Sequence, residues 1–265
     1  MVNVHFGVRC FMLGVTSKRI AHYVCSSRKY RKCKRDYYAD ISLPLRRQQL
    51  HDLVSKQRYI SYRGIWQFLE SAHQSKSDEN LITLYYSRRN ISKLNKASGD
   101  QQANNEFWNR EHVWPQSNGL KGNSARRDLH NIVPADRSVN SSRGNKYFDD
   151  GGTSHNECKA CSTDTDSWEP PDEVKGDIAR ILLYMDLRYD GNDSSGAADL
   201  ILGEDRSSDR RYFRGLLTAQ QWHCNDPVSD RERAINEAVY SYQSNRNPFV
   251  DYPHWAESVF SFNCE

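Results

Sequence analysis

The stretch from 107 to 149, which opens with FWNREHVWPQ, most constrains the fold. Its aromatic first part reads as an extended strand, and the polar, glycine-containing residues 115–127 read as a loop. LHNIV (129–133) reads as a second short strand, stopped by Pro134. DRSVNSSRGNKYFD (136–149) reads as a helix with Asp136 near its start, weakened by its serines and Gly144. The expected order is therefore strand, loop, strand, helix between Trp108 and Phe148. Arg110, Glu111 and His112 are consecutive, with Glu111 and His112 at the end of the first strand or the start of the loop. Neighbours on a strand point to opposite sides, so Glu111 and His112 would flank one small object.

Around this unit the pattern is mainly helical, which gives an α+β class with one domain from 37 to 265. Pro44 opens an expected helix over 44–57, with Leu50, Leu53, Val54 and Gln57 on one side. Tyr62, Ile65, Trp66 and Leu69 suggest a second. LITLYY (81–86) reads as a strand followed by a polar loop. The clearest helix is 173–189, where Val174, Ile178, Ile181, Leu182, Met185 and Tyr189 recur in steps of three and four. Ser229 and Glu232 form an S-x-x-E capping box ahead of a stripe of Ala234, Ile235, Ala238, Val239 and Tyr242. Residues 149–173 read as a loop, and NRNPFVDYP (245–253) as a proline-bounded extended segment.

Charge points to a polyanionic partner. Residues 1–60 hold thirteen lysines and arginines against three acids, so a chain of net charge +3 carries −7 in its remainder. Residues 1–36 are expected to be a leader or a flexible basic arm. No apolar run approaches a membrane span. Seven cysteines are present, at 10, 25, 33, 158, 161, 224 and 264. Loss of a leader carrying Cys10 would leave six, an even number that suits an oxidising compartment. Cys25/Cys33, Cys158/Cys161 and Cys224/Cys264 are the first-choice pairs, although spacing does not fix connectivity. His155, Cys158 and Cys161 could also be read as zinc ligands, but a structural zinc site wants a fourth ligand and no second C-x₂-C exists. A loop disulfide is the preferred reading.

Glu111 and Asn140 supply oxygen donors suited to a hard cation such as Mg²⁺. A neutral imidazole at His112 could take a proton from an attacking water. Arg110, Arg126, Arg127, Arg137 and Arg143 lie close in sequence and could grip phosphates. Taken singly, each has a plainer reading: an acid–histidine pair is common, His130 suits packing, and Asn145 suits local backbone contacts.

The joint pattern says more. WNREHVWPQSNG followed by RDLHNIVPADRSVNSSRGNKYFDDGG resembles the endonuclease I family of nonspecific, metal-dependent nucleases with a ββα-metal, or His-Me, finger. YRGIWQFLE, LITLYYSRR, KGDIARILLYMDLRY, WHCNDPVSDRE and NRNPFVDYP look like family segments in family order, so the resemblance covers roughly 37–256. It implies a finger at about 108–148, with His112 as general base and Glu111 and Asn140 as metal ligands. Arg143 and Asn145 fall where the family keeps substrate-side or structural residues, and Arg143 is read as a phosphate contact; Arg110, adjacent to Glu111, is taken as a further substrate contact. Where relatives often read DLHxLRP, this chain has Val133 in DLHNIVP. The phosphate-stabilising arginine is then expected from Arg127 or Arg126. Asn131 or its carbonyl is the expected group orienting His112.

The implied activity is sequence-nonspecific hydrolysis of DNA and RNA, leaving 5′-phosphate ends, with Mg²⁺ as first choice of cofactor over Mn²⁺ or Ca²⁺. Cysteine number and the resemblance together imply a secreted or periplasmic protein; a monomer is expected, and a secreted nuclease could also have a protein inhibitor as partner. Two rival readings remain: a nucleic-acid-binding scaffold that does not cut, and a ribonuclease without action on DNA.

Overall fold

The computed structural model describes residues 34–97, 106–191, 193, 195–204 and 209–264. The expected Cys25/Cys33 pair and most of the 1–36 arm lie outside the described residues. In chain order the elements are α1 (Arg47–Val54), α2 (Gly64–Ala72), β1 (Leu81–Thr83), β2 (Asn90–Ser92), β3 (Trp108–His112), β4 (Ile132–Asp136) and α3 (Arg137–Arg143). Next come β5 (Tyr147–Phe148), β6 (Thr153–Ser154), β7 (Ser162–Thr163), β8 (Ser167–Glu169), α4 (Lys175–Arg188), β9 (Ile201–Gly203) and β10 (Tyr212–Arg214). The chain closes with α5 (Leu216–Asn225), α6 (Asp230–Gln243), α7 (Pro248–Asp251) and α8 (His254–Phe260). Helices and small sheets are mixed, as an α+β class requires.

Strands β3 and β4 pair antiparallel, with Glu111 opposite Val133 and His112 opposite Ile132. Directly opposed residues share a face. One face of the ribbon joins the larger apolar core through Val133 and Ala135, with Trp114, Val139, Leu182 and Leu183. The other joins a second cluster through Trp108 and Ile132, with Ile65, Phe68, Leu69 and Val239. The ribbon therefore runs between two cores. Each fully buried leucine in them contributes about 2–3 kcal/mol.

Helix α4 is the axis of the larger core and is buried nearly all round. Its polar residues are enclosed with partners: Arg180 donates from Nε (2.6 Å) and Nη2 (2.8 Å) to Glu232. A Cβ at Gly176 would stand 2.2 Å from the Asp226 carbonyl oxygen, so only glycine permits that approach of α4 to the end of α5.

Several local expectations give way to tertiary contacts. Pro134 lies within β4 rather than ending it. It pairs with Arg110, and its carbonyl accepts from the Tyr85 N–H (2.7 Å), outside the ribbon. Its missing N–H therefore belongs to the outward-facing edge, where proline is tolerated. Helix α3 stops at Arg143, because Gly144 takes φ 58° and the chain then enters β5. The expected loops hold short strands: β2 pairs with β1, and β5–β8 form a four-stranded sheet across 147–169. At 245–253 a helix, α7, replaces the extended segment, begun by Asn247 accepting from the Phe249 N–H (3.0 Å). Ser229 caps α6 by accepting from Glu232 N–H, but Glu232 turns to Arg180 and leaves half of the box unmade. The buried face of α6 is Glu232, Asn236, Val239 and Gln243, while Ala234 and Tyr242 are exposed.

Cys158–Cys161 and Cys224–Cys264 are disulfides, which excludes both thiols of the HNECKAC run as zinc ligands. Asp128 fixes the end of the loop between β3 and β4. Its buried carboxylate accepts from Gln57 (3.1 Å), Gln243 (2.8 Å), Tyr184 (2.9 Å) and Tyr189 (2.7 Å) side chains and from the His130 N–H (3.0 Å). Burial alone would raise its pKa; the neighbouring His130 and these donors bring it below the usual carboxylate range.

Candidate active site

Alternation along β3 puts Asn109 and Glu111 on one face and Arg110 and His112 on the other. The Glu111 face meets α3. Arg143 on that helix is wholly buried and donates from Nη1 to Glu111 Oε1 (2.8 Å) and to the His112 carbonyl (2.9 Å). Its Nη2 donates to the Val113 carbonyl (2.6 Å), and the guanidinium lies 4.5 Å from the Phe148 ring centre. The Tyr86 hydroxyl also donates to Glu111 Oε1 (2.8 Å). Burial raises the Glu111 pKa, and the charge of Arg143 and the Tyr86 hydrogen bond oppose that rise. One helical turn back, Asn140 donates from Nδ2 to Asn109 Oδ1 (2.7 Å), which leaves its own amide oxygen as an acceptor.

The His112 face meets the loop. Nε2 lies 2.9 Å from the Arg126 carbonyl, an acceptor only, so Nε2 carries the proton and Nδ1 holds the lone pair. The Gln116 amide nitrogen stands 3.4 Å from Nδ1. Burial lowers the ring's pKa to about 4, which keeps it neutral at pH 7. A neutral imidazole with a fixed tautomer is a competent proton acceptor.

Some residues stand elsewhere than the sequence suggested. Arg143 has no access to a phosphate; it is the clamp that joins Glu111 to the backbone of 112–113. Asn131 does not orient His112. It brackets Trp114 instead, accepting from its N–H (2.7 Å) and donating to its carbonyl (3.0 Å). Val133 is buried beside the larger core. Arg110 is half-buried against Tyr62 and Trp66, and donates to the Tyr62 carbonyl (2.8 Å). Arg127 lies by Tyr59 and donates to the Ile60 carbonyl (3.4 Å), whereas Arg126 is exposed and holds His112 through its backbone. Asn145 is exposed in the turn after α3.

Sequence reasoning passed over Tyr86, Asn109 and Gln116. The alternation rule could have found Asn109, two residues before Glu111. No local signal marks Tyr86, which arrives from the turn between β1 and β2. Glu111 and Asn140 offer a carboxylate and an amide oxygen, donors a hard cation takes. Among the described residues no group of three or more His, Cys, Asp or Glu could hold a metal ion, so a cation here would retain several waters.

A neutral imidazole of fixed tautomer and a clamped carboxylate on opposite faces of one ribbon are groups that a hydrolase can use. Residues 45–254 match Endonuclease I, and the chain belongs to that family. An extracellular ribonuclease of Bacillus subtilis (strain 168) is 42% identical over 217 residues, covering 80% of this chain and 72% of the relative. An extracellular ribonuclease of Bacillus amyloliquefaciens is 40% identical over the same coverage. A periplasmic deoxyribonuclease of Aeromonas hydrophila is 30% identical over 158 residues, 55% of this chain and 59% of the relative.

Proposed function

We propose that this nuclease hydrolyses phosphodiester bonds in RNA and DNA with little sequence preference, leaving 5′-phosphate ends. The observation that carries the mechanism is the His112 ring: buried, neutral, and held through Nε2–H to the Arg126 carbonyl. Its Nδ1 lone pair takes the proton of a water attacking phosphorus, and the imidazolium so formed keeps its bond to Arg126. Strand β3, loop and β4, and then α3 are the parts we read as the ββα-metal finger. Glu111 and Asn140 would hold a divalent cation, Mg²⁺ first among candidates. Their fit is supported by Tyr86 and Arg143 both converging on Oε1, away from Oε2, and by the Asn140 amide nitrogen turning to Asn109. When bound, the cation supplies positive charge against the phosphate and leaving oxygens. Arg126, with its backbone at His112 and its side chain exposed, is better placed than Arg127 to meet a phosphate.

The more similar relatives are ribonucleases by name and the more distant ones deoxyribonucleases. That order favours RNA as the better substrate. Those relatives are extracellular or periplasmic, and two disulfides suit the same surroundings, so we read this chain as secreted. No helix of the described residues is long and apolar enough to cross a membrane. Digestion of plasmid DNA and of RNA, with Mg²⁺ and with EDTA, beside a His112→Ala variant tests the reading. Cutting that needs the ion and His112 is expected; equal cutting by His112→Ala removes His112 from the mechanism.

A further inference from the structure

The interior arginines of this fold are matched with carboxylates: Arg143 with Glu111, Arg180 with Glu232, Arg188 with Asp193 and Arg246 with Asp251. Arg110, Arg126 and Arg127 are treated differently. Among the described residues none of the three pairs with a carboxylate, and each is set against an aromatic ring of 59–66. The Arg110 guanidinium lies 3.7 Å from the Tyr62 ring centre and 4.4 Å from that of Trp66. Arg126 stands 5.6 Å from Tyr62, and Arg127 stands 5.6 Å from Tyr59. Tyr59, Tyr62 and Trp66 are all partly exposed. Trp66 also packs edge-on to Trp108 at 5.0 Å, which ties the strip to the first residue of β3.

We propose that this strip is a subsite for single-stranded nucleic acid, in which a nucleobase stacks on Tyr62 while Arg110, Arg126 and Arg127 hold the flanking phosphates. The inference rests on the nuclease reading above and adds to it the form of substrate that the site prefers. Arginines left without carboxylates retain their charge for phosphate, and aromatic contact holds the guanidinium planes without neutralising them. Tyrosine and tryptophan faces stack on any base, so the subsite needs no sequence. In a duplex those faces are already occupied by neighbouring bases. Arg126 is exposed and only loosely against Tyr62, so a base can take its place on the ring while its guanidinium moves to a phosphate. The backbone of that residue holds His112, and Arg110 shares the His112 face of β3. A strand stacked on Tyr62 therefore passes the proton acceptor.

Fluorescence anisotropy of a labelled oligothymidylate, read with the full-length His112→Ala chain, tests this without cleavage. Single strand should bind more tightly than the matching duplex. Adding Tyr62→Ala should weaken single-strand binding roughly 5- to 100-fold, the range for loss of one stacked base. Adding Tyr62→Phe should hold affinity within about twofold, since the ring face remains. One abasic nucleotide, stepped along the strand, should weaken binding at one position, and that loss should vanish on Tyr62→Ala. Arg126→Ala, an exposed change, should lower the slope of log affinity against log salt by about 0.7, the share of one phosphate contact on a single strand. In turnover, Tyr62→Ala should raise KM for single strands and leave kcat within about twofold. Tighter binding of duplex, indifference to every abasic position, or unchanged affinity in both Tyr62→Ala and Arg126→Ala would overturn the subsite. Absence of cleavage by the wild type in Mg²⁺ would instead sink the nuclease reading and leave the binding result to stand or fall alone.

Discussion

Replacing Arg143 by methionine separates a structural clamp from a substrate contact. The native side chain is wholly buried and makes three hydrogen bonds, of 2.8, 2.9 and 2.6 Å, to Glu111 and the carbonyls of His112 and Val113. Methionine fills much of the volume and satisfies none of these acceptors. Removing one member of a buried, hydrogen-bonded ion pair costs about 3–5 kcal/mol, because the remaining charge is left in low dielectric. That is a large share of a total stability of about 5–15 kcal/mol. With an m-value of about 3 kcal/mol/M in urea, the unfolding midpoint should fall by roughly 1–1.7 M. Glu111→Gln with Arg143→Met removes both charges, and the double variant should be more stable than the sum of the single losses by about 1–2 kcal/mol. Urea unfolding followed by tryptophan fluorescence reads all four proteins. An Arg143→Met protein that unfolds at the wild-type midpoint yet no longer cuts nucleic acid would refute this reasoning, and would return Arg143 to the substrate.

Two further outcomes arise from burial and covalent linkage. The His130 ring has its pKa lowered by burial to about 4, against about 6.5 in an unfolded chain. The folded state therefore binds this proton less readily. Its stabilising share is whole above pH 6.5 and is lost as pH falls towards 4, a loss of about 2–3 kcal/mol. The stability gap between wild type and His130→Asn, from urea midpoints at pH 7.5 and 4.5, should shrink by that amount at the lower pH; a constant gap would show that the ring does not titrate this way. The Cys224–Cys264 bridge spans a sequence separation of 40 and ties the end of α5 to the C-terminal residues, whereas Cys158–Cys161 spans 3. Loop-closure entropy gives about 4 kcal/mol for the long bridge and below about 2 for the short one. Thermal unfolding of Cys224→Ala/Cys264→Ala should thus show a much larger fall in midpoint than Cys158→Ala/Cys161→Ala, and the reverse order would contradict the entropic account.

The parts of the fold that declare themselves in sequence are those decided by local physics. Three- and four-residue steps mark α4, the extended aromatic run marks β3, and Ser229 stands at a cap. What fails locally is settled by partners distant in sequence. The buried face of α6 is partly polar because Glu232 answers Arg180 and Gln243 answers Asp128, so of the apolar stripe Val239, Ile235 and Ala238 pack on the second core while Ala234 and Tyr242 stay exposed. Asn245, Arg246 and Asn247 read as the start of an extended segment, yet all three are buried polar residues: Asn245 donates to Val54 and Tyr184, and Asn247 to the Arg180 carbonyl. Pro134 misleads for the opposite reason. Its cost depends on which edge of the ribbon its nitrogen faces, and only the register with Arg110 reveals that.

The same distinction explains how much of the candidate site was legible. Glu111, His112 and Asn140 stand out by residue type and by order along the chain, but their surroundings do not. Because β3 alternates, adjacent residues enter different environments, and burial acts on them in opposite senses. It raises the Glu111 carboxyl, where Arg143 and Tyr86 counter the shift, and lowers the His112 imidazole, where the Arg126 carbonyl favours the protonated form. A carboxylate on the His112 face would meet the Arg126 carbonyl, an acceptor that it cannot satisfy. An imidazole on the Glu111 face would meet two donors, and the Arg143 charge would oppose its protonation. The order glutamate then histidine is therefore fixed by what each side of the ribbon offers. A donor-rich side suits a carboxylate, and a side that offers a carbonyl to Nε2 and an amide N–H to Nδ1 suits a neutral imidazole.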